Sequence, residues 1–114
     1  MRYLIIYDIS DDNVRDAIAK RLLEYGLTRI QYSSFIGDLP RFRLHSLLLD
    51  LHHILKDSIG DDGRKSIIIY PLCDSCYSKG LMIDDTSKGI KHICDANGKK
   101  RSIDNQEGDG VTVI

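Results

Sequence analysis

Residues Arg2–Asp8 (RYLIIYD) form an apolar run with no polar face. In an extended strand Tyr3, Ile5 and Tyr7 fall on one side, and Leu4 and Ile6 on the other. Ser66–Leu72 (SIIIYPL) repeats the pattern, with Pro71 marking its end or an edge. Strands apolar on both faces need cover on both. Two helical segments are available to supply it. In the first, Asp11 or Asp12 can cap, and Asp16 suits the positive end of the dipole. Its stripe is Val14, Ala17, Ile18, Leu22 and Tyr25, and Gly26 stands where a left-handed residue closes a helix. Pro40 opens the second, where its missing N–H costs nothing. Leu44, Leu47, Leu48, Leu51, Ile54 and Leu55 line one face of it. Two helices cannot cover both faces of such a sheet. A second copy of the chain is the simplest cover for the open one, so the patterning predicts a homodimer.

Between the helices, Leu27–Leu39 reads as extended, with Ile30, Tyr32 and Ile36 alternating against Gln31, Ser33 and Phe35. The turn Ile59-Gly60-Asp61-Asp62-Gly63 ends the second helical segment, and Gly80–Ile83 is a weaker strand. Asn97-Gly98, between Ile90–Cys94 and Arg101–Ile103, signals a hairpin. Val111–Ile114 is a strand with no obvious partner. The chain therefore divides into a domain over 1–83 and a more polar extension over 84–114.

Composition narrows the function. Sixteen Lys and Arg against 17 Asp and Glu give a net charge of −1, spread evenly along the 114 residues. A whole-molecule basic field is absent, so any nucleic acid is handled through a local patch or a metal ion. No apolar run approaches the ~18–20 residues of a membrane span. Asp8 interrupts the early apolar segment, which does not read as a signal peptide. The expected location is the cytoplasm. Three cysteines are too few, and odd in number, for a secreted disulfide framework.

Asp8 fits a purely structural reading least. It ends a strand with two apolar faces, on the side of Leu4 and Ile6. Such an aspartate either caps the following loop or binds a cation. If that face meets its copy across a two-fold axis, two Asp8 carboxylates approach each other. A carboxylate pair favours a divalent cation such as Mg²⁺, which suits phosphodiester hydrolysis. Arg15, Arg29 and Arg21 stand near that end and can take phosphate bidentately, or serve as solvated surface residues. Ser33 and Ser34 can hydrogen-bond phosphate. Phe35 can stack on a base or fill the core.

Cys73-x2-Cys76 followed by His92-x-Cys94 supplies four possible zinc ligands, against buried or free thiols as the plain alternative. His52-His53 lies on the second helix and flanks its apolar stripe. Phosphate-cradling glycine loops, nucleophile elbows and dinucleotide fingerprints are absent from the sequence.

Tyr3–Asp12 (YLIIYDISDD) followed by Arg29–Leu39 (RIQYSSFIGDL) resembles the signature of the second universal CRISPR-associated family. These are the small homodimeric proteins that partner the CRISPR integrase. The likeness runs over roughly 1–83. It implies an α+β, ferredoxin-like fold: an antiparallel sheet with two helices on one face and a homodimer packed through the other. It further implies that Asp8 is the catalytic and metal-binding acid, and that Tyr7, Arg15, Arg29, Ser33 and Phe35 form the nucleic-acid neighbourhood. The activity implied is that of a Mg²⁺-dependent endonuclease on single-stranded RNA or double-stranded DNA, with CRISPR integrase subunits as partners. Two readings from other classes stand beside it: a non-enzymatic DNA-binding adaptor that bridges integrase subunits, and a toxin-like messenger ribonuclease. Ala17 stands where some members carry another arginine. Residues 84–114 differ from the family's tail; a C-terminal strand commonly crosses to the partner subunit there, a part that Val111–Ile114 could play.

Overall fold

The computed structural model describes residues 1–58, 63–83 and 91–92. The expected turn at 59–63 therefore lies largely outside the described residues, and the hairpin at Asn97-Gly98 and the strand Val111–Ile114 wholly so. The chain divides into two units, Met1–Pro71 and Leu72–Ile114, described separately here. The boundary expected after residue 83 falls inside the second.

In the first unit β1 (Arg2–Ile9), α1 (Asp12–Glu24), β2 (Thr28–Gln31), β3 (Ser34–Asp38), α2 (Arg41–Lys56) and β4 (starting at Lys65) follow one another. The strands form one sheet in the order β2-β3-β1-β4. β1 runs antiparallel to β3, with Leu4 opposite Ile36, Ile5 opposite Phe35 and Ile6 opposite Ser34. At the other edge the Ser10 N–H donates to the Arg64 carbonyl at 3.0 Å, joining the end of β1 to the start of β4. The chain has the α+β architecture that its patterning and its resemblance imply.

Alternation along β1 separates the two faces. Ile5, Tyr7 and Ile9 are 0%, 2% and 4% exposed and share a core with Val14, Ile18 and Leu22 of α1 and Leu47 and Leu51 of α2. Ile67 and Ile69 of β4 pack against the same core. Leu4 is half-buried, Asp8 is exposed, and Ile6, Ile68 and Tyr70 are exposed. The helices thus serve one face, and the other carries an uncovered apolar patch.

Helix α1 has both its expected ends. Asp11 caps it, its Oδ1 accepting from the Val14 N–H at 2.9 Å. At the other end Gly26 adopts φ +85°, which an L side chain resists. Gly26 N–H bonds the Leu23 carbonyl and Leu27 N–H the Leu22 carbonyl, the paired bonds of a Schellman closure. Ala17, expected on the buried stripe, is exposed, and Ala19 is buried in its place. Pro40 is the residue before α2 rather than its first; its carbonyl accepts from Arg43 and Leu44. Leu48, expected on the inner face of α2, is 43% exposed.

Leu27–Leu39 is two strands, not one. β2 and β3 form a hairpin turning at Tyr32-Ser33, with a register irregularity between Arg29 and Gln31. No Gly, Pro or Asn marks that turn. It is fixed from outside, by Tyr7, whose N–H donates to the Ser33 carbonyl at 3.0 Å.

The helices are tied together by Asp50 of α2. Its Oδ2 accepts from the Tyr25 hydroxyl at 2.7 Å and from Arg21 at 3.0 Å. Arg43 lies 4.7 Å above the Tyr25 ring.

In the second unit α3 (Asp74–Ser78) is a short helix absent from the sequence expectation, and β5 (Leu81–Met82) pairs with β6 (Lys91–His92). β5 lies within the strand expected at 80–83.

Two expected outcomes follow from the first unit. A Cβ on Gly37 would lie 2.5 Å from Leu27 Cδ2 and 3.3 Å from its Cα, and Leu27 is only 3% exposed. Gly37→Ala should therefore cost about 1–3 kcal/mol in chemical denaturation. Asp50 titrates below its ordinary value, chiefly because of the Tyr25 hydroxyl and then Arg21. A lowered folded pKa gives stability that is present above the unfolded value and lost as pH falls through the folded one. Asp50→Asn should cost about 0.5–1 kcal/mol at pH 7, since the pair is partly exposed. That gap from wild type should narrow in denaturation below about pH 4.

Candidate nucleic-acid and metal site

Asp8 closes β1 on the open face. Its side chain is 59% exposed, and its Oδ1 accepts from the Arg64 Nε at 3.0 Å. Arg64 was not among the sequence candidates. The Ser10 main-chain bond holds its backbone in place, and the Ser10 hydroxyl reaches the same carbonyl at 3.5 Å. The basic pair Arg64-Lys65 ahead of an apolar strand was the signal for it. Asp38, on the same face of β3 at the other end, is engaged by the Met1 amine at 3.6 Å and by Arg2 at 3.8 Å.

Among the described residues no three His, Cys, Asp or Glu side chains cluster as a metal site. One carboxylate per chain is a sparse ligand set. Its chemistry nevertheless fits Mg²⁺, a hard cation that keeps several waters and accepts one or two carboxylates. Two copies of Asp8 would meet that need.

The neighbouring end of the sheet carries the arginines. Arg15 of α1 donates from NH1 to the Ile9 carbonyl at 3.1 Å and pairs through NH2 with Asp12. The Asp12 hydrogen bond, reinforced by Tyr32, raises its pKa above the usual guanidinium value. Its Nε is buried with no acceptor among the described residues. Arg29 of β2 donates to the Tyr7 hydroxyl at 3.3 Å and lies 5.1 Å above the Phe35 ring. Both guanidiniums lie over the Tyr32 ring, at 5.4 and 5.8 Å from its centre. Arg21 is turned to Asp50 and Glu24 instead.

Two expected contacts need correcting. Phe35 is fully buried and Tyr7 is 2% exposed, their rings stacked 6.2 Å apart. The register that puts Phe35 opposite Ile5 turns it to the helices, so its ring offers no face to a base. Tyr7 acts by orienting Arg29 and, through its hydroxyl, the Tyr32 carbonyl at 3.3 Å. Ser33 is half-buried, with its carbonyl engaged by Tyr7. The aromatic that does stand open is Tyr32, 68% exposed, which the sequence reading passed over as one more alternating strand residue.

Of the four zinc candidates, Cys73 and Cys76 are free and exposed. Cys73 caps α3, its sulfur accepting from the Cys76 N–H at 3.3 Å. That bond draws the Cys73 thiol below its ordinary value, and Cys76 is pushed up by Cys73. The backbone of His92 lies in β6, and Cys94 lies outside the described residues.

A small antiparallel sheet with helices on one face, an acid near the end of the first strand on the open face and two arginines at the same end on the helix side defines a class of α+β protein. The chain belongs to the CRISPR-associated protein Cas2 family, whose model matches residues 1–80. It is 40% identical over 103 residues to a CRISPR-associated endoribonuclease Cas2 of Archaeoglobus fulgidus, covering 82% of this chain and all of that one. A CRISPR-associated endonuclease Cas1/endonuclease Cas2 fusion of Thermoproteus tenax is 45% identical over 40 residues, 35% of this chain and 15% of the fusion. The crystal structure of Streptococcus pyogenes Cas2 shares the fold, with a TM-score of 0.54 and 24% identity over 64% of this chain and 87% of that one.

Proposed function

We propose that this chain is a metal-dependent endonuclease of CRISPR spacer acquisition. It hydrolyses phosphodiester bonds in RNA or DNA as a homodimer, in partnership with the CRISPR integrase. The observation that carries the reading is Asp8: an exposed carboxylate at the end of an apolar open face, paired with Arg64, with Arg15 and Arg29 held by the fold at the same end of the sheet. The name of the Archaeoglobus relative supports the nuclease, and that of the Thermoproteus fusion supports the partnership.

Asp8 and its copy would hold the cation, which when bound supplies charge neutralisation at the scissile phosphate and a more acidic water. The protein's own groups do the rest. Arg15 and Arg29 bind and orient phosphates, their guanidiniums fixed by Ile9, Asp12 and Tyr7. Arg64 neutralises Asp8 until it is displaced, after which its fork is free for phosphate.

A non-catalytic DNA-binding adaptor between integrase subunits is the second reading. The Arg64–Asp8 pair favours it, because it already occupies the acid with a cation of the protein's own.

Cleavage of defined single-stranded RNA and double-stranded DNA across a Mg²⁺ titration separates the two. Asp8→Asn keeps the shape and removes the charge, so cleavage should fall at least about a hundredfold while binding in EDTA persists. Equal cleavage by wild type and Asp8→Asn would assign the activity to a contaminant or another residue and favour the adaptor.

Assembly is checked by light scattering at micromolar concentration, where the chain should show twice its 12.9 kDa mass. Ile68→Lys, on the exposed patch of β4, should shift it to monomer. A monodisperse wild-type monomer removes the paired-carboxylate site.

A further inference from the structure

We propose that Tyr32 is a nucleobase-stacking subsite that takes one unpaired base of a single strand. The inference rests on the nucleic-acid reading above and adds to it the part of the substrate that is recognised. Tyr32 stands at the β2–β3 turn with 68% of its surface open. It is nevertheless held firmly at its root. The Tyr7 hydroxyl donates to its carbonyl at 3.3 Å, and the Tyr7 N–H donates to the next carbonyl, that of Ser33, at 3.0 Å. Tyr7 is the residue before Asp8, so the ring stands at the acid's end of β1.

Two cations attend the ring, Arg15 at 5.4 Å and Arg29 at 5.8 Å from its centre. Neither is there by chance of a loose side chain. Arg15 is fixed by the Ile9 carbonyl at 3.1 Å, and Arg29 by the Tyr7 hydroxyl at 3.3 Å and the Phe35 ring. Both come from the helix-side layer, Arg15 from α1 and Arg29 from the β2 position opposite Phe35. A rooted aromatic that is largely open, with two guanidiniums held over its ring, suits one nucleotide: the open part of the ring for a flat base, and the cations for the phosphates next to it. In a duplex the faces of a base are already covered by its neighbours, whereas a splayed base in a single strand is free to stack. Phe35, the aromatic next along the strand, is sealed in the core and cannot do this.

The test measures binding in EDTA, so that it does not depend on cleavage. Fluorescence anisotropy compares a labelled oligoadenylate single strand with an abasic phosphodiester strand of equal length and charge. Wild type should prefer the base-bearing strand by about tenfold. Tyr32→Ala should lose that preference, by weaker binding of the base-bearing strand with abasic binding unchanged. Tyr32→Phe should keep it, because stacking needs the ring and not the hydroxyl. Asp8→Asn should keep it too, so loss of stacking and loss of cleavage are read separately. Binding of a duplex should be the same for wild type and Tyr32→Ala. A preference retained by Tyr32→Ala overturns the proposal, as does an equal loss on base-bearing and abasic strands, which would mean that the ring only props the arginines. Absence of wild-type binding to every strand overturns the nucleic-acid reading along with it.

Discussion

The two-residue period of β1 is the constraint on which the rest depends. Ile5, Tyr7 and Ile9 go into the core, so Leu4, Ile6 and Asp8 must go the other way. A slip of one residue would bury the Asp8 carboxylate among apolar helix residues and expose the Tyr7 ring. The site is thus a consequence of packing: Asp8 is exposed because its neighbours are core. Tyr7 links the two sides. From inside the core it fixes the β2–β3 turn through its backbone and Arg29 through its hydroxyl. A single buried residue therefore places both a cation and an open aromatic near the acid.

Most of the fold was legible because its signals are local. The double-faced apolar runs gave β1 and β4, and Asp11 and Gly26 gave both ends of α1. What was missed depends on groups distant in the chain. The turn at Tyr32-Ser33 carries no turn residue of its own; it is imposed by Tyr7, some 25 positions earlier. Helix α3 was hidden for a different reason. Its cap is the sulfur of Cys73, and a cysteine pair reads as metal ligands before it reads as a capped turn. The exchange of Ala17 for Ala19 on the buried face of α1 is a matter of helix rotation, which two small residues on either side of Ile18 cannot specify.

The candidate site was legible in its charges and not in its aromatics. Asp8, Arg15 and Arg29 stand at one end of the sheet because strand and helix ends put them there. Phe35 fills the core, one of the two places open to it in the sequence, and Tyr32 stands exposed. Which of them is buried depends on the register against β1 and on the irregularity between Arg29 and Gln31, neither of which leaves a mark in composition. Arg64 carries only the faint signal of a basic pair ahead of an apolar strand; that it meets Asp8, 56 residues earlier, is a tertiary contact the sequence does not show.

That last pair shapes how the open face works. Both partners are largely exposed, and an ion pair in such a setting contributes little net stability. It can therefore be broken at small cost. In an isolated chain Arg64 is a sufficient counter-charge for one carboxylate. If the apolar faces of two chains met as proposed, two carboxylates would approach and the demand for positive charge at one place would double. In the proposed dimer the two Asp8 carboxylates would hold a doubly charged cation with less crowding than two long side chains, and the two Arg64 guanidiniums would then be free at the rim of the joined faces. On the proposed reading, assembling an acidic pocket for the metal would free basic groups for the phosphate, so assembly and substrate binding would be coupled through one exposed ion pair.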